Sequence, residues 1–181
     1  MKRMKILGIP GSLSETSANY TVLRFIANLL PPETEFSIYN GIGQLPHFNP
    51  VTDVQPAHSE VERLRNELQA ADGVVVCTPE YAFGVPGSLK NALDWTVSSG
   101  ELVGKPLALI TASLSGEKAE AALLLIFTAL SVNIAPERTL LIPFIRSKLD
   151  ATGNFNNPAD AEAVKRAIDS LMNSIAPLKS I

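Results

Sequence analysis

The stretch Gly73-Val74-Val75-Val76-Cys77-Thr78 decides the fold. It is apolar on both faces of an extended chain, as a central parallel strand must be when helices cover the sheet on both sides. Working outward, Ser59 and Glu62 are spaced as a capping box. The helix they open puts Val61, Leu64, Leu68 and Ala71 on one face just before that strand. After it come a loop at Pro79–Pro86 and a helix from about Gly87 to Val97. Pro106–Ala112 is a second doubly apolar strand, followed by a helix near Glu117–Val132 and a last strand at Thr139–Ile142. Asn157-Pro158 supplies a cap and a first-turn proline for a final helix with Ala161, Val164, Ile168, Leu171 and Ile175 inward.

Upstream, Met4–Ile9 is a short apolar strand ended by Pro10-Gly11, and a helix follows from about Ser17 to Leu30 until Pro31-Pro32 stops it. Glu35–Tyr39 is a further strand. The segment from Asn40 to His58, with Gly41, Gly43, Pro46, Pro50 and Pro56, is an irregular loop and a candidate wall for a site. Five strands alternating with five helices imply right-handed βαβ units and a three-layer α/β sandwich around a parallel sheet. At 181 residues the chain is expected to be one domain, residues 1–181, with one core. Ligands of such sheets bind beyond the carboxyl ends of the strands, where strand order reverses. The loops after the first, third and fourth strands are therefore the ones to read.

Composition narrows the chemistry. A net charge of −3 opposes a dedicated nucleic-acid binder, which needs a basic excess. The single cysteine excludes a disulfide framework and any multi-cysteine metal site, and two histidines leave little for a histidine centre. The apolar run Ile6–Ile9 is interrupted by Gly8 and halted by Pro10, too short for a signal peptide. The run from Ala119 to Leu130 contains Glu120 and Thr128 and falls short of the ~20 residues a membrane span needs. The expectation is a soluble, cytoplasmic protein with no nucleic-acid or membrane partner.

The loop after the first strand, Gly11-Ser12-Leu13-Ser14-Glu15-Thr16-Ser17-Ala18-Asn19, crowds four hydroxyls and a carboxamide at a helix start. Unpaired N–H groups and the positive end of the helix dipole suit a phosphate there. One hydroxyl would suffice for capping alone. A Walker loop is excluded because no lysine is present, and the dinucleotide fingerprint because only Gly11 is a glycine. A cysteine phosphatase would need its thiolate in this loop, and a receiver domain an aspartate where Thr78-Pro79-Glu80 stands. What remains is a loop that holds a phosphate without hydrolysing it. The loop after the third strand carries Tyr81 and Phe83 between two prolines and two glycines, aromatic surface that suits a planar ligand, a subunit contact or the core equally.

Gly11-Ser12-x-x-x-x-Ser17-x-Asn19, joined to Thr78-Pro79-Glu80-Tyr81 and to Val85-Pro86-Gly87-Ser88-Leu89-Lys90-Asn91-Ala92-Leu93-Asp94-Trp95, resembles the NAD(P)H-dependent FMN reductase family. That family includes flavodoxin-like quinone, chromate and azo reductases. The resemblance spans most of the chain and implies a flavodoxin-like sheet in the order 2-1-3-4-5. It implies FMN with its phosphate at the Gly11–Asn19 loop: Gly11, Ser12, Ser14, Ser17, Ala18 and Asn19. It places the ring against Pro79, Glu80, Tyr81, Ala82 and Phe83, with a further contact at Ser113. Three departures stand out. Ser14 replaces an arginine common in the phosphate loop; Ala82-Phe83-Gly84 replaces Asn-x-Ser; and Ser113–Ala119 lacks the usual double glycine.

Elsewhere the sequence offers no acid–base pair, triad or metal cluster. Glu80 and Asp94 read as structural carboxylates, and Cys77 as a small apolar residue in a strand. A flavin explains this poverty, because the cofactor carries the redox chemistry. The expected activity is ping-pong hydride transfer from NADPH or NADH through flavin N5 to a small-molecule electron acceptor, with main-chain N–H groups of Pro79–Phe83 stabilising the reduced ring. The competing reading is a flavin-binding electron carrier without nicotinamide-dependent activity. The helix bearing Ala121, Leu123, Leu124, Leu125, Ile126, Phe127 and Leu130 is apolar nearly all round, which suggests a homodimer contact, or a homotetramer.

Overall fold

The computed structural model describes residues 3–53 and 58–175. The strands are β1 (Met4–Pro10), β2 (Thr34–Ile38), β3 (Gly73–Thr78), β4 (Leu107–Ala112) and β5 (Thr139–Ile142). They form one sheet in the order β2-β1-β3-β4-β5, and every pairing is parallel. The helices are α1 (Ala18–Leu29), α2 (Ser59–Ala70), α3 (Gly87–Asp94), α4 (Glu117–Ala129), α5 (Ile145–Lys148) and α6 (Pro158–Ile175).

Alternation along the two central strands sorts their side chains into two cores. Val74, Val76, Leu107 and Leu109 point to the side covered by α2, α3 and α4. Val75, Cys77, Ala108 and Ile110 point to the side covered by α1 and α6. All twelve residues of β3 and β4 are buried, as the doubly apolar sequence requires. Strand order reverses between β1 and β3, so the carboxyl ends of those strands open on the switch point.

Several boundaries differ from expectation for local reasons. The capping box does not form. His58 takes the N-cap, with no side-chain cap bond, and its carbonyl accepts from the Val61 and Glu62 N–H groups; Ser59 is thereby the first helical residue. Ser17 is the N-cap of α1 and not its first residue. The helix α3 stops at Asp94, and α4 stops at Ala129, shortly before Ser131 adopts a left-handed φ of 54°. A sixth helix, α5, follows β5, with Phe144 left-handed at its start (φ 54°).

The long loop after β2 is partly internal. Tyr39, Ile42 and Leu45 are buried; residues 54–57, Pro56 among them, lie outside the described residues. Asn91 of α3 clamps it, accepting from the Phe48 N–H (2.7 Å) and donating to the Pro46 carbonyl (2.9 Å), which also takes the Trp95 indole N–H (2.9 Å). Arg65 ties Asp53 to the Trp95 carbonyl. The apolar α4 is largely absorbed by its own chain: Leu123 and Phe127 are buried and Leu124 and Ile126 pack on the core, while Leu125 stays exposed. Among the described residues no helix is long and apolar enough to cross a membrane.

Candidate functional site

Where β1 ends, the chain turns sharply beside β3. The Gly11 N–H donates to the Cys77 carbonyl at 2.7 Å. A Cβ on Gly11 would lie 2.1 Å from Thr78 Oγ1 and 2.9 Å from Thr78 Cα, so only glycine fits. The loop then folds on its own hydroxyls. Ser12 Oγ accepts from the Ser14 N–H, Ser14 Oγ meets Thr16 Oγ1 at 3.0 Å, and Ser17 Oγ accepts from the Tyr20 N–H to cap α1. The N–H groups of Ala18 and Asn19 have no partner among the described residues. They are the free first-turn donors of a helix whose positive dipole end faces the same way.

The Asn19 side chain does something else. It is 3% exposed, and its Nδ2 donates to the Ala112 carbonyl (3.0 Å) and approaches Cys77 Sγ (3.7 Å). It braces the start of α1 against the ends of β3 and β4. Burial pushes the Cys77 thiol up to about 12, so that sulfur stays protonated and inert.

The loop after β3 closes as a two-residue hairpin, with Tyr81 and Gly84 exchanging N–H···O bonds of 3.1 and 2.9 Å. Ala82 (φ 48°) and Phe83 (φ 58°) occupy its left-handed corners, the pattern of a type I′ turn. Neither has the glycine or asparagine that tolerates this backbone, so the turn holds strain of about 1–2 kcal/mol per residue. Its tip projects outward, and Phe83 is 80% exposed.

Glu80 joins this loop to the next. Its N–H donates to Ser113 Oγ (3.0 Å), and its carboxylate accepts from Ser115 Oγ and from the Lys118 and Ala119 N–H groups. The Ser115 hydroxyl and the α4 N–H donors hold it below the ordinary carboxylate range. Glu80 is thus an α4 cap, as its reading as a structural carboxylate anticipated.

These loops border a cavity of about 990 Å³. Of the expected site residues, Ser12, Ser17, Ala18, Asn19, Pro79, Glu80, Tyr81 and Ser113 line it. Gly11, Ser14, Ala82 and Phe83 do not: Gly11 is pressed against Thr78 and the last two form the outward hairpin tip. The described part of the Asn40–His58 loop does not wall the cavity; Pro46 and Phe48 are held on α3 instead.

Sequence reasoning missed a second set of lining residues. Thr21, Arg24, Phe25 and Asn28 come from the outer face of α1, and Leu114, Phe144, Arg146 and Asp150–Asn154 from the loops after β4 and β5. The spacing 17, 21, 24, 25, 28 was readable as one helical face. The hairpin at 149–155, bridged at Leu149 and Phe155, offered only a turn signature. It meets α1 through Gly153 beside Thr21 and through Phe155, edge-on to Phe25 at 5.1 Å. Asp150 Oδ1 accepts from the Thr152 and Asn154 N–H groups and the Thr152 hydroxyl, which holds it below its ordinary range.

A free helix start, an aromatic turn and a cavity lined by hydroxyls and two arginines at the switch point suit a phosphorylated planar ligand. Comparison with known proteins agrees. The family model described as NADPH-dependent FMN reductase matches residues 4–146. A NADH-dependent flavin reductase subunit 2 from Lactobacillus johnsonii is 32% identical over 181 aligned residues, covering 94% of this chain and 95% of that protein. A quinone reductase from Escherichia coli K12 is 35% identical over 118 residues, 62% of each chain. In fold, the chain is similar to the flavoenzyme NAD(P)H:(acceptor) oxidoreductase FerB from Paracoccus denitrificans, with a TM-score of 0.78 at 24% identity over 96% of this chain and 98% of that one. It is also similar to a WrbA-like flavodoxin protein from Agrobacterium tumefaciens, with a TM-score of 0.65 at 15% identity over 97% and 98% of the two chains. The chain therefore belongs to the NADPH-dependent FMN reductase family and is an oxidoreductase on a flavodoxin-like frame.

Proposed function

We propose that this chain holds FMN at the β1–α1 turn and passes electrons from NADH or NADPH to a small-molecule acceptor in the cytoplasm. The observation that carries the reading is the pair of unpartnered N–H groups on Ala18 and Asn19, opening on a cavity bounded by Tyr81. When bound, FMN supplies two-electron chemistry at N5, which permits ping-pong exchange between reductant and acceptor.

The residues present fit that cofactor. Main-chain donors at Ala18 and Asn19 take the phosphate, and the hydroxyl protons of Ser12 and Ser17 are available to it, so the cradle functions without an arginine at position 14. Ser113 accepts from the Glu80 N–H and keeps its own O–H proton to donate toward the ligand. Pro79, Tyr81 and Leu114 supply apolar wall. The Glu80 and Tyr81 N–H groups are already bonded, and Ala82 and Phe83 stand on the hairpin tip outside the cavity lining, so the Pro79–Phe83 main chain presents no free donor from a lining residue to a reduced ring.

The test is optical. The purified protein, reconstituted with FMN, should be yellow and bleach on anaerobic addition of NADH or NADPH. A protein that stays yellow is a carrier, and one that refuses FMN overturns the reading. The chain is further proposed to form a homodimer or homotetramer, with exposed Leu125 of α4 in the contact. Light scattering should report an assembly that Leu125→Glu weakens; a wild-type monomer at micromolar concentration would refute this.

A further inference from the structure

The cavity extends along α1 well past the phosphate cradle. Its α1 wall runs from Ser17 to Asn28, about 16 Å at 1.5 Å per residue. Two exposed arginines line this outer arm, Arg24 from α1 and Arg146 from α5. Neither forms an ion pair among the described residues. Arg24 lies over the Tyr20 ring, 5.9 Å from its centroid, a contact that leaves the guanidinium edge free to donate. The cavity's carboxylates are turned elsewhere: Glu80 onto the α4 start and Asp150 onto its own turn. Two exposed arginines without acidic partners, in one cavity of a chain of net charge −3, form a place built for an anion.

That anion need not be the flavin phosphate, which has its own donors at the other end of the cavity. We propose that Arg24 and Arg146 form a second phosphate subsite, which takes the 2′-phosphate of NADPH and makes NADPH the preferred reductant. This rests on the reading that FMN occupies the β1–α1 cradle. A guanidinium edge matches a phosphate with two parallel N–H donors, whereas NADH offers only an uncharged 2′-hydroxyl at the corresponding position. The nicotinamide end would then face the Tyr81 turn while the adenosine end follows α1 toward the 150–154 hairpin.

The test uses the FMN-loaded protein with adenosine 2′,5′-bisphosphate and 5′-AMP as probes in titration calorimetry, alongside steady-state kinetics. Wild type should bind the bisphosphate more tightly than 5′-AMP. Arg24→Gln and Arg146→Gln should each weaken the bisphosphate by about tenfold and lower the NADPH-to-NADH ratio of kcat/KM by a similar factor. FMN content and thermal midpoint should stay at the wild-type level. Equal binding of the two probes by wild type, or an unchanged ratio in both variants, overturns the subsite. Loss of FMN in the variants also overturns it and assigns the arginines to the flavin phosphate. If wild type takes no FMN, the cofactor reading fails, and probe binding to the unloaded protein still decides whether the arginines hold a phosphate.

Discussion

Gly11 stands where two strands leave no room for a side chain. Its φ is ordinary; the constraint is the approach to Thr78. Gly11→Ala should force the turn away from β3 and cost roughly 1–3 kcal/mol in urea unfolding, with FMN retention falling as the Ala18 and Asn19 donors shift. Retention at the wild-type level would show that the turn does not position the phosphate. Ala82 is the opposite case, a residue kept in a left-handed conformation it tolerates poorly. Ala82→Gly should stabilise the free protein by about 0.5–1 kcal/mol, the relief of strain less the added chain entropy. Cys77, wholly buried with its thiol held protonated, should resist iodoacetamide near neutral pH until the protein unfolds. Labelling at a rate independent of denaturant would contradict that.

At the scale of elements, the most specific sequence motif proves to be a clamp. In Gly87–Trp95, Leu89, Ala92 and Leu93 fill the core, while Asn91 and Trp95 fasten the loop after β2 through Pro46 and Phe48. Asn91→Ala should destabilise by about 1–3 kcal/mol, because it strands a main-chain donor and deprives an acceptor of one bond. Its effect on FMN affinity should be small, since the described part of that loop lines none of the cavity. Glu80 couples α4 to the β3 loop through its carboxylate, whose pKa lies below the ordinary 4.5 in the folded state. A carboxyl group depressed by folding adds stability above its unfolded value and loses it as the pH falls through the folded one. The stability difference between wild type and Glu80→Gln should therefore be full near neutral pH and shrink below about 4.5. A difference that stays flat into acid would refute the capping role.

At the scale of the whole molecule, the strand order places the β1, β3 and β4 loops around one opening, and residues distant in sequence become one wall. The strands were legible because burial on both faces demands runs such as Val74–Cys77 and Leu107–Ala112, which little else in a soluble protein would select. The β1–α1 loop was legible as part of the cavity lining because hydroxyls crowd next to a strand end. The capping box was misread because cap geometry depends on which residue turns last, and His58 turned before Ser59. The outer arm of the cavity escaped notice because Arg24, Arg146 and Asp150 are unremarkable alone and meet only through the packing of α1, α5 and the 149–155 hairpin.

The sequence by itself determined the class of sheet, the family and which strand-end loops crowd hydroxyls and aromatic rings. Local hydrophobic periodicity and the chemistry of a strand-to-helix turn are carried by neighbouring residues. Only the tertiary structure decided that Asn19 is a brace, that Glu80 caps α4 and that two arginines with no ion pair among the described residues share a cavity. Each of those roles is set by partners dozens of positions away, and a linear chain holds no record of distance across the fold.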